Sequence, residues 1–171
     1  FVVETKPIGD QRGSFARLFC ARELESLNLP GAIAQINHSF TQAVGTVRGM
    51  HFQRPPKAEA KLVRCLRGRV FDVAVELRKS SPTYQKWHAV ELSSDNHLAL
   101  NIPEGFAQGF QAMTPNCELL YLHTEFYSPE HEGGVRHDDP TINITWPLPV
   151  TELSDRDRKH PLLSQSVAAW R

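Results

Sequence analysis

Between Lys61 and Phe126 the chain is a succession of short apolar runs broken at regular intervals by turn residues, and this pattern restricts the fold more than any other feature. The runs are Leu62 to Leu66, Val70 to Leu77, Trp87 to Leu92, Leu98 to Ile102 and Leu119 to Phe126. Gly68, Ser80-Ser81-Pro82, Ser93-Ser94-Asp95-Asn96, Pro103-Glu104-Gly105 and Thr114-Pro115-Asn116 separate them. Segments of this length with Gly, Pro, Asn and Ser between them read as strands joined by tight turns, and strands so spaced pack as a sandwich or barrel. An all-β jelly-roll is expected. Ala21 to Leu27 has helical propensity with Leu24 and Leu27 on one side, and a second short helix is expected over Ser164 to Trp170, both peripheral. Trp146-Pro147-Leu148-Pro149 reads as a bend into a C-terminal extension.

The 171 residues suit one compact domain spanning 1–171, with no repeat or composition break to divide it. Nineteen basic and 19 acidic residues leave no net charge, which argues against a nucleic-acid partner and confines any phosphate binding to local Arg clusters. The 3 cysteines, Cys20, Cys65 and Cys117, are odd in number and lack C-x-x-C spacing, so neither a disulfide framework nor a zinc site is expected. With no apolar run of membrane-spanning length and no signal-peptide pattern, no membrane partner is expected, and a reducing cytoplasm fits best. The chain begins with Phe rather than Met, so the native start is expected upstream.

Two motifs stand apart from the strand pattern: Gly45-Thr46-Val47-Arg48-Gly49-Met50-His51-Phe52-Gln53, and Ile102-Pro103-Glu104-Gly105-Phe106-Ala107-Gln108-Gly109-Phe110. They resemble the two motifs of a cupin barrel with the metal site dismantled. Of the imidazoles such a site uses, only His51 remains, with Gln53 and Gln108 standing where the others would be; an amide is a poor transition-metal ligand beside imidazole. No metal is expected, and His51 is free to serve as a base. Alternation along strands then groups His51 with Gly49 and Gln53, Lys61 with Val63 and Cys65, Tyr121 with Leu119 and His123, and Gln108 with Phe106 and Phe110. A core would rarely hold His51, Gln53, Lys61, Gln108, Tyr121 and His123 together, because each buried polar group needs a partner. The combination reads as a pocket.

Further motifs run from Gly9-Asp10-Gln11-Arg12-Gly13 through Gln35-Ile36-Asn37-His38-Ser39, Lys61 to Cys65, Phe71 to Val75, Tyr127-Ser128-Pro129, Asp138-Asp139-Pro140 and Ile144-Thr145-Trp146-Pro147 to Leu153-Ser154-Asp155-Arg156-Asp157. In this order the chain resembles the dTDP-4-dehydrorhamnose 3,5-epimerase family of metal-free cupins. The resemblance implies a cupin-type jelly-roll acting on a nucleotide-diphosphate sugar, with no cofactor, as a homodimer whose subunits share active sites. The implied chemistry is epimerisation at C3, C5 or both of a 4-keto-6-deoxyhexose. The carbonyl acidifies the neighbouring C–H bonds, a base removes a proton, and the enolate is reprotonated from the opposite face.

In the family pattern His51 matches the base, Asp157 the carboxylate that orients it, Lys61 the cation beside the enolate oxygen, and Tyr121 the acid of the other face. A free Tyr, with a pKa of about 10, is protonated at neutral pH, whereas a free His, near about 6.5, is mostly a base. Arg12 and Arg48 match positions near the diphosphate, Gln35 and Asn37 match polar contacts to the nucleotide sugar, and Phe15 and Tyr127 are candidates for stacking on the nucleobase. Taken singly, His51 and Tyr121 would read as core residues, Lys61 as a solvated cation and Asp157 as a turn cap.

Three departures stand out. Gln108 replaces a His of the second motif, Arg17 replaces an acidic residue and His137 replaces a Trp. An amide cannot carry a proton near neutrality, so His123, on Tyr121's face, is the candidate to take over the lost role. The competing readings are an NDP-4-keto-6-deoxysugar ketoisomerase, a catalytically silent sugar-nucleotide barrel and, more distantly, a metal-dependent cupin.

Overall fold

The computed structural model describes residues 1–25 and 33–165. In chain order its elements are β1 (Val2–Glu4), β2 (Ile8–Asp10), β3 (Gly13–Phe15), α1 (Ala21–Leu24), β4 (Gln35–Thr41), β5 (Val47–Gln53), β6 (Lys61–Arg67), β7 (Arg69–Glu76), β8 (Trp87–Ser93), β9 (Leu98–Ile102), β10 (Phe106–Ala112), β11 (Cys117–His123), β12 (Glu132–Gly134) and α2 (Asp155–Arg158). Two five-stranded sheets form, ordered β1-β9-β6-β11-β4 and β12-β5-β10-β7-β8, with β2-β3 as a separate hairpin. Every pairing described is antiparallel. The jelly-roll expected from the strand pattern is the fold observed.

Alternation explains three packed layers. Val63, Cys65, Leu100, Ile102 and Leu119 of the first sheet meet Val70, Ala74, Leu92 and Phe110 of the second in the barrel interior. On the outer face of the second sheet, Met50, Phe52, Val73 and Val75 are covered by Val135, Ile142, Ile144 and Leu163. Strand β7 is therefore buried on both sides, which is why it reads as an almost unbroken apolar run; Asp72, facing inward with Val70 and Ala74, is the exception. The expected bend at Trp146 to Pro149 is pinned by Gln111, whose side chain accepts from Leu148 N–H at 3.0 Å and donates to Leu148 O at 2.8 Å.

The first expected helix is one turn, with Leu24 buried among Leu62, Ala99 and Leu122; its continuation to Leu27 lies outside the described residues. Of the second, Ser164 and Gln165 lie in a turn and the remainder is outside the described residues. Among the described residues no helix is long and apolar enough to cross a membrane.

One expectation of strand parity needs correction. His51 pairs with Gln108 and Arg48 with Phe110, so three residues of β5 span what two of β10 span. This bulge at Gly49 and Met50 reverses the alternation and brings Arg48, rather than the expected Gly49, to the cavity beside His51. Gly49 has φ +134°, and a Cβ there would lie 2.5 Å from Gly109 Cα, so only glycine fits.

Candidate active site

His51 and Asp157 are 106 residues apart in sequence and in direct contact, with Nε2 2.7 Å from Oδ1. The carboxylate is fixed from three sides. Its Oδ2 accepts from Gly49 N–H at 3.1 Å, the backbone N–H of Asp157 donates to Ser154 Oγ at 3.0 Å at the start of α2, and His160 Nε2 is 3.5 Å from Oδ1. Burial opposes ionisation of Asp157, yet the close approach of His160 and the hydrogen bonds from His51 and Gly49 outweigh it and hold the group well below the usual carboxylate range. With Asp157 accepting the Nε2 hydrogen, Nδ1 of His51 is left with its lone pair. Burial pulls the imidazole below 6.5, and the bond to Asp157 only partly restores it. At neutral pH His51 is a neutral base.

His51, Asp157 and His160 each offer a ligand atom within 4.8 Å of the others. Tetrahedral zinc sites place ligand atoms roughly 3.3 Å apart, given bonds of about 2.0 Å. The 2.7 Å between His51 and Asp157 fits a hydrogen bond instead, and Arg156 Nη2 lies 3.3 Å from the same Nε2.

His51 borders a cavity of about 220 Å³ between the sheets. The first sheet supplies the opposite wall. There Tyr121 OH is 3.1 Å from Ser39 Oγ, and Lys61 Nζ is 3.1 Å from Glu59 Oε1. His123 Nδ1 is 2.8 Å from Glu59 Oε2, and its Nε2 is 3.3 Å from Asn37 Nδ2. Burial raises the Tyr121 phenol, with the Ser39 hydrogen bond opposing, so it stays a proton donor. Beneath the cavity Gln108 donates to Asp72 Oδ2 at 3.0 Å. Asp72 is fully buried with Oδ1 unpartnered, and burial pushes its carboxyl up to about 8 against the bond from Gln108 and the charge of Lys61. Gln108 thus rests on a largely protonated acid.

His51, Lys61, Tyr121, Gln108, His123, Asn37, Arg48 and Tyr127 all border this cavity, and Asp157 stands behind His51. A second cleft of about 640 Å³ adjoins it, sharing Arg48, His51 and Arg156 as a common wall. Gln53, expected to meet ligand, also borders the cavity but has both amide hydrogens committed to Lys57 O and Phe126 O, while its oxygen accepts from Ser128 N–H. It staples two loops. Gln35 likewise accepts from Tyr127 N–H and holds that residue at the rim, where its hydroxyl donates to Glu132. Arg12 and Phe15 are not in the cavity. Both lie on the β2-β3 hairpin, where Arg12 pairs with Asp10 and Phe15 is 73% exposed.

A family model described as dTDP-4-dehydrorhamnose 3,5-epimerase matches residues 1–165. The chain belongs to the dTDP-4-dehydrorhamnose 3,5-epimerase family. It is 44% identical over 168 residues to the dTDP-4-dehydrorhamnose 3,5-epimerase of Salmonella typhimurium, covering 97% of this chain and 91% of that one. A dTDP-6-deoxy-D-glucose-3,5-epimerase from Legionella pneumophila, solved with dTDP-4-keto-L-rhamnose, is 38% identical and superposes with a TM-score of 0.93 over 99% of this chain and 90% of that one. A 3'-monoepimerase from Streptomyces bikiniensis, solved with dTDP-quinovose, is 30% identical, with a TM-score of 0.89 over 96% and 83%. As a member of the dTDP-4-dehydrorhamnose 3,5-epimerase family, the chain is an epimerase, a type of isomerase.

Several residues in or around this cavity were not singled out from sequence. Glu59 precedes Lys61 by two positions, and alternation extended back from β6 would have put it on the same face. Asp72 was visible as a lone acid in an apolar run. Arg156 and His160 flank Asp157 but belong to no strand, so parity says nothing of them.

Proposed function

We propose that this epimerase inverts C3, C5 or both of a thymidine-diphosphate-linked 4-keto-6-deoxyhexose through an enolate. The observation that carries the reading is the opposition of the His51–Asp157 pair to Lys61 and Tyr121 across one cavity, a base on one sheet and a proton donor on the other. His51 Nδ1 takes the proton, and Asp157 balances the imidazolium that forms. Lys61 neutralises the enolate oxygen, a fixed interaction worth about 3–4 kcal/mol of barrier by analogy with oxyanion-hole deletions. Tyr121 returns a proton from the other side. Arg48 and Arg156, on the wall between the two spaces, hold the diphosphate, with the hexose in the smaller space.

The enzyme acts as a cytoplasmic homodimer in which the β2-β3 hairpin reaches a neighbour's site. Ile8 and Phe15 on that hairpin are 76% and 73% exposed, and edge strand β4 presents Ile36 and Phe40 to solvent. Exposed large apolar side chains on a hairpin and on an edge strand favour a protein partner. Arg12 and Phe15 then complete the partner's nucleotide site.

The test is solvent deuterium incorporation into dTDP-4-keto-6-deoxyglucose, followed by NMR at C3 and C5 separately, with wild type beside His51→Ala. Exchange that vanishes in the variant supports the reading and fixes the regiochemistry, which the fold leaves open because the 3'-monoepimerase shares it. A wild type that binds the nucleotide sugar yet exchanges neither hydrogen overturns it.

A further inference from the structure

On the sheet facing His51, a second carboxylate is buried against a second imidazole. The Glu59 side chain is 8% exposed and lies between Lys61 Nζ at 3.1 Å and His123 Nδ1 at 2.8 Å. Burial opposes its ionisation, but the His123 hydrogen bond and the Lys61 charge prevail and keep it a carboxylate. The other ring nitrogen of His123 meets the Asn37 amide at 3.3 Å. An amide offers hydrogens in one orientation and an oxygen in the other, so Asn37 partners Nε2 whether that nitrogen is bare or protonated. Glu59 accepts from Nδ1–H in both states. The groups facing this imidazole are Glu59 before β6, Lys61 on β6, Asn37 on β4 and Tyr121 on β11. An imidazole whose two partners suit both of its protonation states is built to carry a proton.

The neighbouring phenol supplies the need. If Tyr121 protonates the enolate, it is left as a phenolate in a buried position, and burial makes that state costly. It must regain a proton before the next inversion. The His123 ring centroid is 6.0 Å from that of Tyr121, two residues along the same face of β11.

We propose that His123, positioned by Glu59, is the proton reservoir that resets Tyr121 after each inversion. The inference rests on the epimerase reading above. As the new C–H bond forms, the Tyr121 O–H bond breaks; as His123 N–H breaks, the Tyr121 O–H bond is remade. Water then reprotonates His123 and accepts the proton that His51 took from carbon, so protons balance and no electrons are exchanged. Glu59 is a positioning residue, since it acts through the imidazole.

Rapid-quench progress curves with dTDP-4-keto-6-deoxyglucose in deuterated buffer test this for wild type, Glu59→Gln and His123→Gly, with dTDP binding used to verify folding. Both variants are expected to show a burst of about one inversion per site and then a steady rate about 10²-fold below wild type, the lower end of what general acid–base groups contribute. Added imidazole should speed the slow phase of His123→Gly. Wild-type rates in both variants overturn the inference, as does equal slowing of first and later turnovers without imidazole rescue, which would mark a packing role. A wild type that exchanges nothing overturns the epimerase reading itself, and this distinguishes the two failures.

Discussion

The backbone N–H of Gly49 donates to Oδ2 of Asp157 at 3.1 Å, so the bulge two residues before His51 grips the carboxylate that His51 itself contacts. Base and carboxylate are held by one short piece of β5. Gly49→Ala should therefore cost both stability and turnover, because φ +134° is strained for alanine and its Cβ would strike Gly109. We expect a loss of roughly 2–4 kcal/mol in urea unfolding, in the range of backbone and packing defects of this kind.

Turnover should rise with pH as His51 loses its proton, and the limb should lie below 6.5 because burial lowers this group. Asp157 raises the His51 value, so Asp157→Asn should move the limb to still lower pH while kcat falls by about 10³-fold or more. A pH profile of kcat/KM for the two proteins checks both the direction and the loss.

Tyr121→Phe separates the two half-reactions. Without the phenol, His51 can still remove a proton and return one to the same face. Deuterium should enter the recovered substrate while the inverted product falls by about 10²-fold or more, read by NMR on one sample. Product forming at the wild-type rate would remove Tyr121 from the reaction.

Asp72 makes the fold sensitive to alkali. Its carboxyl is pushed from 3.8 to about 8 by burial, so between those values the unfolded chain ionises it and the folded chain does not. Stability contributed by this group is thus present below pH 3.8 and lost progressively as pH rises to about 8. Asp72→Asn should raise the Tm at pH 8 more than at pH 5; equal Tm shifts would contradict this.

Gln53→Ala releases three hydrogen bonds to the backbone of the loops at Lys57 and at Phe126 to Ser128. At about 1 kcal/mol each, the expected loss is roughly 2–3 kcal/mol. KM should rise more than kcat falls, because Tyr127, at the cavity rim, sits on one of those loops. Steady-state kinetics beside thermal melts would reveal it.

The strands were legible because apolar runs and turn residues alternate so regularly, and Leu98–Ile102 matches its expected bounds residue for residue. Strand parity also foresaw that Lys61, Tyr121 and His123 would share a wall, since β6 and β11 pair with His123 opposite Lys61. Parity failed at Gly49, where a bulge depends on a close approach to Gly109 that no local pattern encodes. Parity did place Gln53 on the side of His51, where it borders the cavity, but could not show that its amide is committed to loop backbone. Arg12 and Phe15 were singled out by motif alone, and their hairpin touches none of the cavity. Side chains on regular strands can be placed by counting; those on loops need the tertiary fold.

The reach from His51 to Asp157 also bears on how the enzyme comes into being. A ribosome makes the imidazole early and its carboxylate only near the end of the described chain, in α2, whose Asp157 docks against β5. A nascent chain halted after β12 would hold every strand of both sheets but no carboxylate to steer the base. On the proposed mechanism, a copy terminated before Asp157 would therefore carry a base with nothing to orient it.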